Sequence, residues 1–166
     1  HGSALSFDGA DDYAVVNNNA VLRTTGDWTR SIWVNSPVVI GGDGTTNDIW
    51  TQRTTTNKFL LRIDAAGKWA LYYRSTGAGF SSFFVARAEA GVWQNIVAVK
   101  SGTSIAFYID GKKVASATNA ENFPNDSHQI YFGSFTNGTG QFFQGSIDDA
   151  RIYDYARTEE EIRLDY

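Results

Sequence analysis

Aspartates gather near both ends of the chain, and their type and spacing are suited to binding a metal ion. The first cluster is Asp8, Asp11 and Asp12, and the second is Asp148 and Asp149. Ca²⁺ takes about six to eight oxygen ligands from carboxylates, backbone carbonyls and water. We therefore predict a structural calcium where the two ends of the chain meet, with these preferred ligands: Asp8, the Gly9 carbonyl, Asp12 and Asp148. The alternative is that the carboxylates only support turns by accepting hydrogen bonds from nearby backbone amides.

Aromatic residues flanked by polar side chains are suited to binding sugars. The apolar face of a pyranose ring stacks on Trp or Tyr, while Arg, Asp and Asn bond the hydroxyl groups. Trp50 follows a long polar segment beside Asp48, and Tyr72 lies between Arg62 and Arg74 on one face of a predicted hairpin. These are the predicted ligand-binding residues. The alternatives are a buried Trp50 and, around Tyr72, an ordinary solvated sheet face.

The sequence offers few residues for catalysis. Glycoside hydrolysis needs two carboxylates about 5–10 Å apart across a cleft. The densest acidic group, Glu159 to Glu161, follows Thr158 in a capping box that opens a short helix. With 2 histidines and 0 cysteines, a nucleophile and its base have few candidates. We therefore predict that this domain is not an enzyme.

Composition argues against several other classes of protein. A net charge of −4 gives no basic surface for nucleic acid. The absence of cysteine excludes disulfides and thiolate zinc sites. No apolar run reaches the roughly eighteen residues that membrane insertion needs.

Short strands are the elements that must position these residues. Alternating apolar and polar residues predict a hairpin from residues 59–63 and 69–74, whose apolar face includes Trp69. Asp110 and Gly111 are a strong signal for a second tight reversal. Residues 35–57 are predicted to be the longest irregular stretch. About a dozen short strands and one terminal helical turn indicate an all-β fold of two packed antiparallel sheets.

Residues 145–153, Gly-Ser-Ile-Asp-Asp-Ala-Arg-Ile-Tyr, precede a Glu-Glu-Ile helical turn and resemble the C-terminal signature of laminin-G-like domains. These domains belong to the concanavalin A-like lectin/glucanase superfamily. Residues 4–13 resemble the matching first strand and turn, and residues 105–112 resemble the central hairpin. The strands containing Trp33 and Trp93 resemble two further family strands.

The resemblance implies a jelly-roll sandwich in which the first and last strands are neighbours and often hold a calcium ion. It implies that Trp33 and Trp93 pack inside the sandwich, and Trp28 is expected to join them. Arg30 departs from the pattern, since relatives usually carry an apolar residue there. The Glu-x-Asp-x-x-Glu strand motif of glucanases with this fold is absent.

These observations predict a non-catalytic carbohydrate-binding module over residues 4–166, with residues 1–3 a vector-derived remnant. The ligand is expected to be a poly- or oligosaccharide. We expect the module to be tethered within a longer secreted or surface protein of a bacterium, such as a polysaccharide-degrading enzyme. The alternative is an adhesion or spacer module that binds protein or no ligand.

Overall fold

The computed structural model describes residues 3–37, 46–53, 58–74, 81–118, 128–135 and 138–166. The strands are β1 (Leu5–Asp8), β2 (Ala14–Val16), β3 (Trp28–Asn35), β4 (Asn47–Arg53), β5 (Lys58–Ile63), β6 (Lys68–Arg74), β7 (Ser81–Arg87), β8 (Trp93–Ser101), β9 (Ser104–Ile109), β10 (Lys112–Thr118), β11 (Ile130–Phe132) and β12 (Gln144–Tyr153). A 3-10 turn spans Ala20–Leu22, and helix α1 spans Glu159–Asp165. No helix within these ranges is long and apolar enough to cross a membrane.

The strands form two antiparallel sheets of six strands each, which confirms the predicted sandwich. The first sheet has the order β1-β12-β3-β8-β9-β10, and the second has the order β2-β11-β4-β5-β6-β7. The expectation that residues 35–57 are irregular is wrong at its centre, because β4 lies within this stretch. β4 was missed because it is rich in polar residues and lacks the alternation of apolar and polar residues that predicts a strand.

The first and last strands are neighbours, as predicted. In β1 and β12, Leu5 is opposite Ile147 and Phe7 is opposite Gly145. Both Phe7 and Ile147 are buried in the core between the sheets. The pairing therefore joins the two ends of the chain in one layer.

The aromatic core confirms part of the tryptophan assignment and corrects the rest. Trp28 and Trp69 are buried between the sheets, as predicted. Trp93 is 39% exposed and Trp33 is half-buried, so the expectation that both pack inside the sandwich is wrong. Successive side chains of a strand point to opposite faces, and Ile32 and Val34 take the inward positions that flank Trp33.

Arg30 takes an inward position and is buried in this aromatic core. Its guanidinium lies 4.3 Å from the ring centroid of Phe59, 4.9 Å from Trp28 and 5.8 Å from Trp50. Contacts of a cation with ring faces are favourable in such an environment. Arg30 is therefore a charged residue held in the sandwich interior by aromatic rings, and it does not reach solvent.

Helix α1 lies against the outer face of the first sheet. Thr158 and Glu161 form the predicted capping box, in which each side chain accepts a hydrogen bond from the other residue's backbone amide. Ile162 is buried and packs with Val97, Val99 and Tyr108. The helix thus covers an apolar patch of the sheet and fixes the position of the residues that follow it.

Candidate functional site

Strands β5 and β6 place an arginine and a tyrosine on the outer face of the second sheet. Arg62 is opposite Ala70, and Leu60 is opposite Tyr72. Side chains two apart on a strand share a face, so Arg62 and Tyr72 project from the same side. The other side carries Phe59, Leu61, Ile63, Trp69, Leu71 and Tyr73, all buried in the core as predicted.

Arg62 is the centre of this surface. Its Nη2 lies 2.7 Å from one carboxylate oxygen of Asp48 and 2.9 Å from the other, and 2.9 Å from Oε1 of Gln141. Its guanidinium also lies 5.5 Å from the ring centroid of Tyr72. We call Asp48, Arg62, Tyr72 and Gln141 the polar-aromatic face. Three of its members, Asp48, Arg62 and Tyr72, are among the predicted ligand-binding residues.

Asp48 is the buried anchor of the polar-aromatic face. It is 0% exposed, and desolvation raises its pKa from 3.8 to about 6, although attraction to Arg62 and the hydrogen bond from it act in the opposite direction. Burial disfavours the charged form of a carboxyl group. Arg62 therefore offsets only part of the cost of burying this carboxylate.

The segment between β11 and β12 borders the polar-aromatic face. The Asp48 amide donates to the Gln141 carbonyl at 3.0 Å, and the Thr51 hydroxyl donates to the Ser134 carbonyl at 3.1 Å. The Arg53 guanidinium lies 4.3 Å from the ring centroid of Phe135. Burial lowers the pKa of Arg53, with Arg62 lowering it further.

Gln141, Arg53 and Phe135 are surface residues that the sequence analysis missed. Gln141 is 79 positions from Arg62 in the chain. It is exposed, has a backbone φ of 53° and belongs to no strand. No periodicity marks such a residue, so only its location in the fold identifies it.

Trp50 is in the core, and this corrects the expectation that it faces a ligand. It is 1% exposed and packs edge-on against Phe59 at 5.6 Å and Phe132 at 5.0 Å between ring centroids. The strand has a bulge between Asp48 and Trp50, so Asp48 pairs with Arg62 while Trp50 pairs with Leu61. The extra residue sends Trp50 to the opposite face from Asp48.

Arg74 belongs to β6 and is opposite Lys58. It lies two positions beyond Tyr72 on the strand, and its side chain is outside the described part of the structure. Its predicted role in ligand binding stays a prediction.

The aspartates of the first turn form a compact cluster. Carboxylate oxygens of Asp8, Asp11 and Asp12 lie within 4.8 Å of one another, and all three residues are exposed. One Asp8 oxygen accepts a hydrogen bond from the Ala10 amide at 2.7 Å, and one Asp12 oxygen accepts from the Asp8 amide at 3.0 Å. Gly9 has a φ of 82°, which suits the turn. We call this group the first-turn cluster.

Asp148 does not join the first-turn cluster. Asp8 is opposite Gln144, and Leu5 at the other end of β1 is opposite Ile147. Asp148 is therefore four positions beyond the partner of Asp8, about 13 Å away along an extended strand. The ends of the chain meet as expected, but the register of their pairing separates these carboxylates, and Asp11 rather than Asp148 lies beside Asp8 and Asp12.

The two six-stranded antiparallel sheets define a β-sandwich domain of the jelly-roll class. A family model of laminin G type, described as the concanavalin A-like lectin/glucanases superfamily, matches residues 8–163. The chain belongs to this family, which confirms the resemblance found in its motifs. No curated protein matches the chain in sequence.

Solved structures share this fold. A native heptameric SAP-like pentraxin from Limulus polyphemus has a TM-score of 0.71 and 16% identity, covering 95% of this chain and 78% of the pentraxin. The CBM40 of the Ruminococcus gnavus IT-sialidase, solved with α2,3-sialyllactose, has a TM-score of 0.75 and 13% identity, covering 98% of this chain and 95% of the module.

The receptor binding domain of botulinum neurotoxin D has a TM-score of 0.78 and 17% identity, covering 96% of this chain and 42% of that domain. This chain therefore spans less than half of the toxin domain. Identities at this level show a shared fold, which includes both carbohydrate-binding and receptor-binding domains.

Proposed function

We propose that this domain is a non-catalytic carbohydrate-binding module that binds a poly- or oligosaccharide on the polar-aromatic face. The observation that carries the proposal is the position of the Arg62 guanidinium beside the Tyr72 ring, where Asp48 and Gln141 hold it. A partly exposed ring next to fixed donors is the arrangement that sugar recognition uses. The CBM40 structure supports this proposal, because that module has the same fold and was solved with a bound sialylated sugar.

Each residue of the face has a proposed role. Tyr72 offers its ring for stacking, Arg62 offers guanidinium donors, and Gln141 offers an exposed amide. Asp48 keeps the guanidinium in place and is too deeply buried to touch a ligand. Arg62 and Gln141 both offer N–H donors, so the face favours sugars rich in acceptor groups.

The proposal assigns the polar-aromatic face no catalytic role. Asp48 has a raised pKa, which in other settings marks a general acid. Here the carboxylate contacts Arg62 and is 0% exposed, so a substrate has no access to it. The raised pKa follows from burial under the face.

We also propose that the first-turn cluster holds a structural calcium through Asp8, Asp11, Asp12 and the Gly9 carbonyl. The ligand set contains only oxygen, which is the chemistry that Ca²⁺ prefers, and the carboxylates are close enough to share one ion. Bound calcium would neutralise their mutual repulsion and fix the turn after β1.

The family supports a location outside the cell or on its surface. We propose in addition that the module is part of a longer bacterial protein, such as a polysaccharide-degrading enzyme. A single site of this kind has few anchors, so its affinity should be modest, and other modules of the parent protein would supply avidity. Protein adhesion is the second candidate function, because the botulinum neurotoxin domain of the same fold binds a receptor.

A glycan array followed by titration calorimetry tests the proposed function. We expect Tyr72→Ala to weaken binding of the best array sugar at least about tenfold, which corresponds to about 1.4 kcal/mol. Tyr155→Ala is the matched control, because Tyr155 is 44% exposed and lies after β12 of the other sheet. Equal affinity of the Tyr72→Ala variant and the wild type would place the sugar elsewhere. An array without any bound sugar would favour the adhesion function.

A further inference from the structure

We propose a second binding site, on the outer face of the first sheet, for a saccharide that carries a free amino group. A cavity of about 560 Å³ lies there, lined by Trp33, Trp93, Asp148, Asp149, Asp165 and Tyr166. We call it the terminal cavity. Its volume is within the range of about 300–1,000 Å³ that is common for small-molecule sites.

Strand register brings the aromatic and acidic residues of the terminal cavity together. Trp33 of β3 is opposite Asp148 of β12 on one side, and Asn35 of the same strand is opposite Trp93 of β8 on the other. Irregular pairing between Asp148 and Arg151 interrupts the edge of β12. Asp149 has a φ of 52°, a conformation that L-residues adopt rarely. This irregular backbone allows the adjacent residues Asp148 and Asp149 both to line the terminal cavity.

Helix α1 completes the wall of the cavity. Tyr166 follows the last helical residue, Asp165, and its ring stacks on Trp33 with 5.8 Å between centroids and 13° between planes. Burial of Ile162 against the sheet sets where the helix ends. Tyr166 thus holds the Trp33 ring in place, while Trp93 is 39% exposed and accessible to a ligand.

Two of the three carboxylates already have cationic partners. Arg151 pairs with Asp149, and Arg157 lies 2.6 Å from Asp165. Asp148 accepts a hydrogen bond from the Asp149 amide at 2.8 Å, and the described ion pairs give it no cation. Asp148 is therefore the carboxylate available to a ligand.

The ligand class follows from this chemistry. Ionised carboxylates only accept hydrogen bonds, so the ligand must be rich in donors, and anionic sugars are repelled. An ammonium group satisfies both parts of the cavity, because it pairs with a carboxylate and is attracted to the face of a tryptophan ring. A sugar ring has a flat apolar face that can stack on the aromatic residues, and its hydroxyl groups can donate hydrogen bonds to the carboxylates. A glucosamine-type unit combines these features.

The terminal cavity does not depend on the polar-aromatic face, since the two surfaces belong to different sheets. Their chemistry also differs, because Arg62 and Gln141 offer N–H donors on the polar-aromatic face whereas carboxylates line the cavity. One module would thus bind two chemically distinct regions of a glycan.

Titration calorimetry with a glucosamine oligosaccharide at pH 6 and low salt tests the inference. The N-acetylated oligosaccharide of the same length is the matched ligand without the charge. We expect the amino form to bind at least about tenfold more tightly, and Trp93→Ala to reduce its affinity at least about tenfold. Asp148→Asn should remove the preference for the amino form while the N-acetylated form binds as before.

Control variants separate this site from the polar-aromatic face and from misfolding. Val92→Ala, next to Trp93 and 47% exposed, should bind like the wild type. Tyr72→Ala should also bind the amino form normally, whether or not the polar-aromatic face binds sugar. The inference is overturned by absence of binding, by equal affinity for both oligosaccharides, or by full binding in a folded Trp93→Ala variant. Loss of binding in Tyr72→Ala would also overturn it.

Discussion

The Arg62 guanidinium contacts the Asp48 carboxylate at 2.7 Å, joining an arginine side chain that is 12% exposed to a carboxylate that is fully buried. The pKa of Asp48 is nevertheless raised to about 6, because desolvation exceeds the attraction to Arg62. Ionised Asp48 thus lowers the stability of the folded state, and Arg62 limits the loss. The arginine of the polar-aromatic face is therefore a structural residue as well as a proposed ligand-binding one.

Arg62→Met should destabilise the protein in a pH-dependent way. Removing the cation leaves an uncompensated buried carboxylate, which costs about 3–5 kcal/mol near pH 8. It also raises the folded-state pKa of Asp48 beyond about 6, further above the ordinary pKa of 3.8 that applies to the unfolded chain. A raised pKa contributes stability below the unfolded value that is lost as pH rises through the folded value. Urea unfolding at pH 5 and pH 8 should therefore show a smaller loss at pH 5.

The double variant Asp48→Asn, Arg62→Met is the control for this prediction. It has no buried carboxylate, so it should be more stable than Arg62→Met at pH 8 and should lose the additional pH dependence. If Arg62→Met shows the same loss of stability at both pH values, the burial of an ionised Asp48 is not its cause.

The hairpin of β5 and β6 shows how far the sequence could predict this surface. Strict alternation placed Arg62 and Tyr72 on one face, because a regular strand repeats every two residues. The bulge in β4 breaks that repeat and puts Trp50 on the opposite face from Asp48, whereas both residues were predicted to bind the ligand. Gln141 joins the face through long-range folding alone.

In the first sheet, too, the sequence predicted which strands are neighbours but not where each acidic or aromatic side chain lies. Family motifs were sufficient to predict that β1 and β12 are neighbours. The separation of Asp8 from Asp148 depends on the register of that pairing, which residue types do not determine. Trp33 was expected inside because of the resemblance, although Ile32 and Val34 on either side of it take the inward positions in the structure.

Gly133→Ala should lower stability by about 2–4 kcal/mol, from the sum of a left-handed backbone conformation and an overpacked core. Gly133 has a φ of 82°, and a Cβ atom there would overlap the Phe7 ring. Gly26→Ala is the matched control, because a Cβ on Gly26 has no neighbour within 4 Å. Chemical denaturation of both variants measures the difference. Equal midpoints would mean that Phe7 of β1 does not pack against Gly133.

Calcium should raise the melting temperature if the first-turn cluster binds it. An ion at 100 times its dissociation constant stabilises the folded state by about 2.7 kcal/mol. Asp12→Asn should reduce this response, since the amide keeps an oxygen acceptor for the Asp8 amide but loses the charge. Asp154→Asn is the control. Asp154 is exposed and directly follows the end of β12, whereas Asp8 is opposite Gln144 at the start of that strand. Melting in a chelator and in a calcium series measures the effect, and identical melting in both conditions would refute the site.

Thr158→Ala should destabilise helix α1 by about 1 kcal/mol, because it removes an N-cap side chain. The Thr158 hydroxyl accepts from the Glu161 amide at 3.2 Å, and α1 has only 7 residues, so few internal hydrogen bonds hold the helix without its cap. Faster amide hydrogen exchange in α1 is the expected sign, with Thr103→Ala in the exposed turn between β8 and β9 as the control. Since α1 positions Tyr166 against Trp33, the variant should also bind the amino oligosaccharide more weakly. Unchanged exchange would show that burial of Ile162 against the sheet suffices to hold the helix.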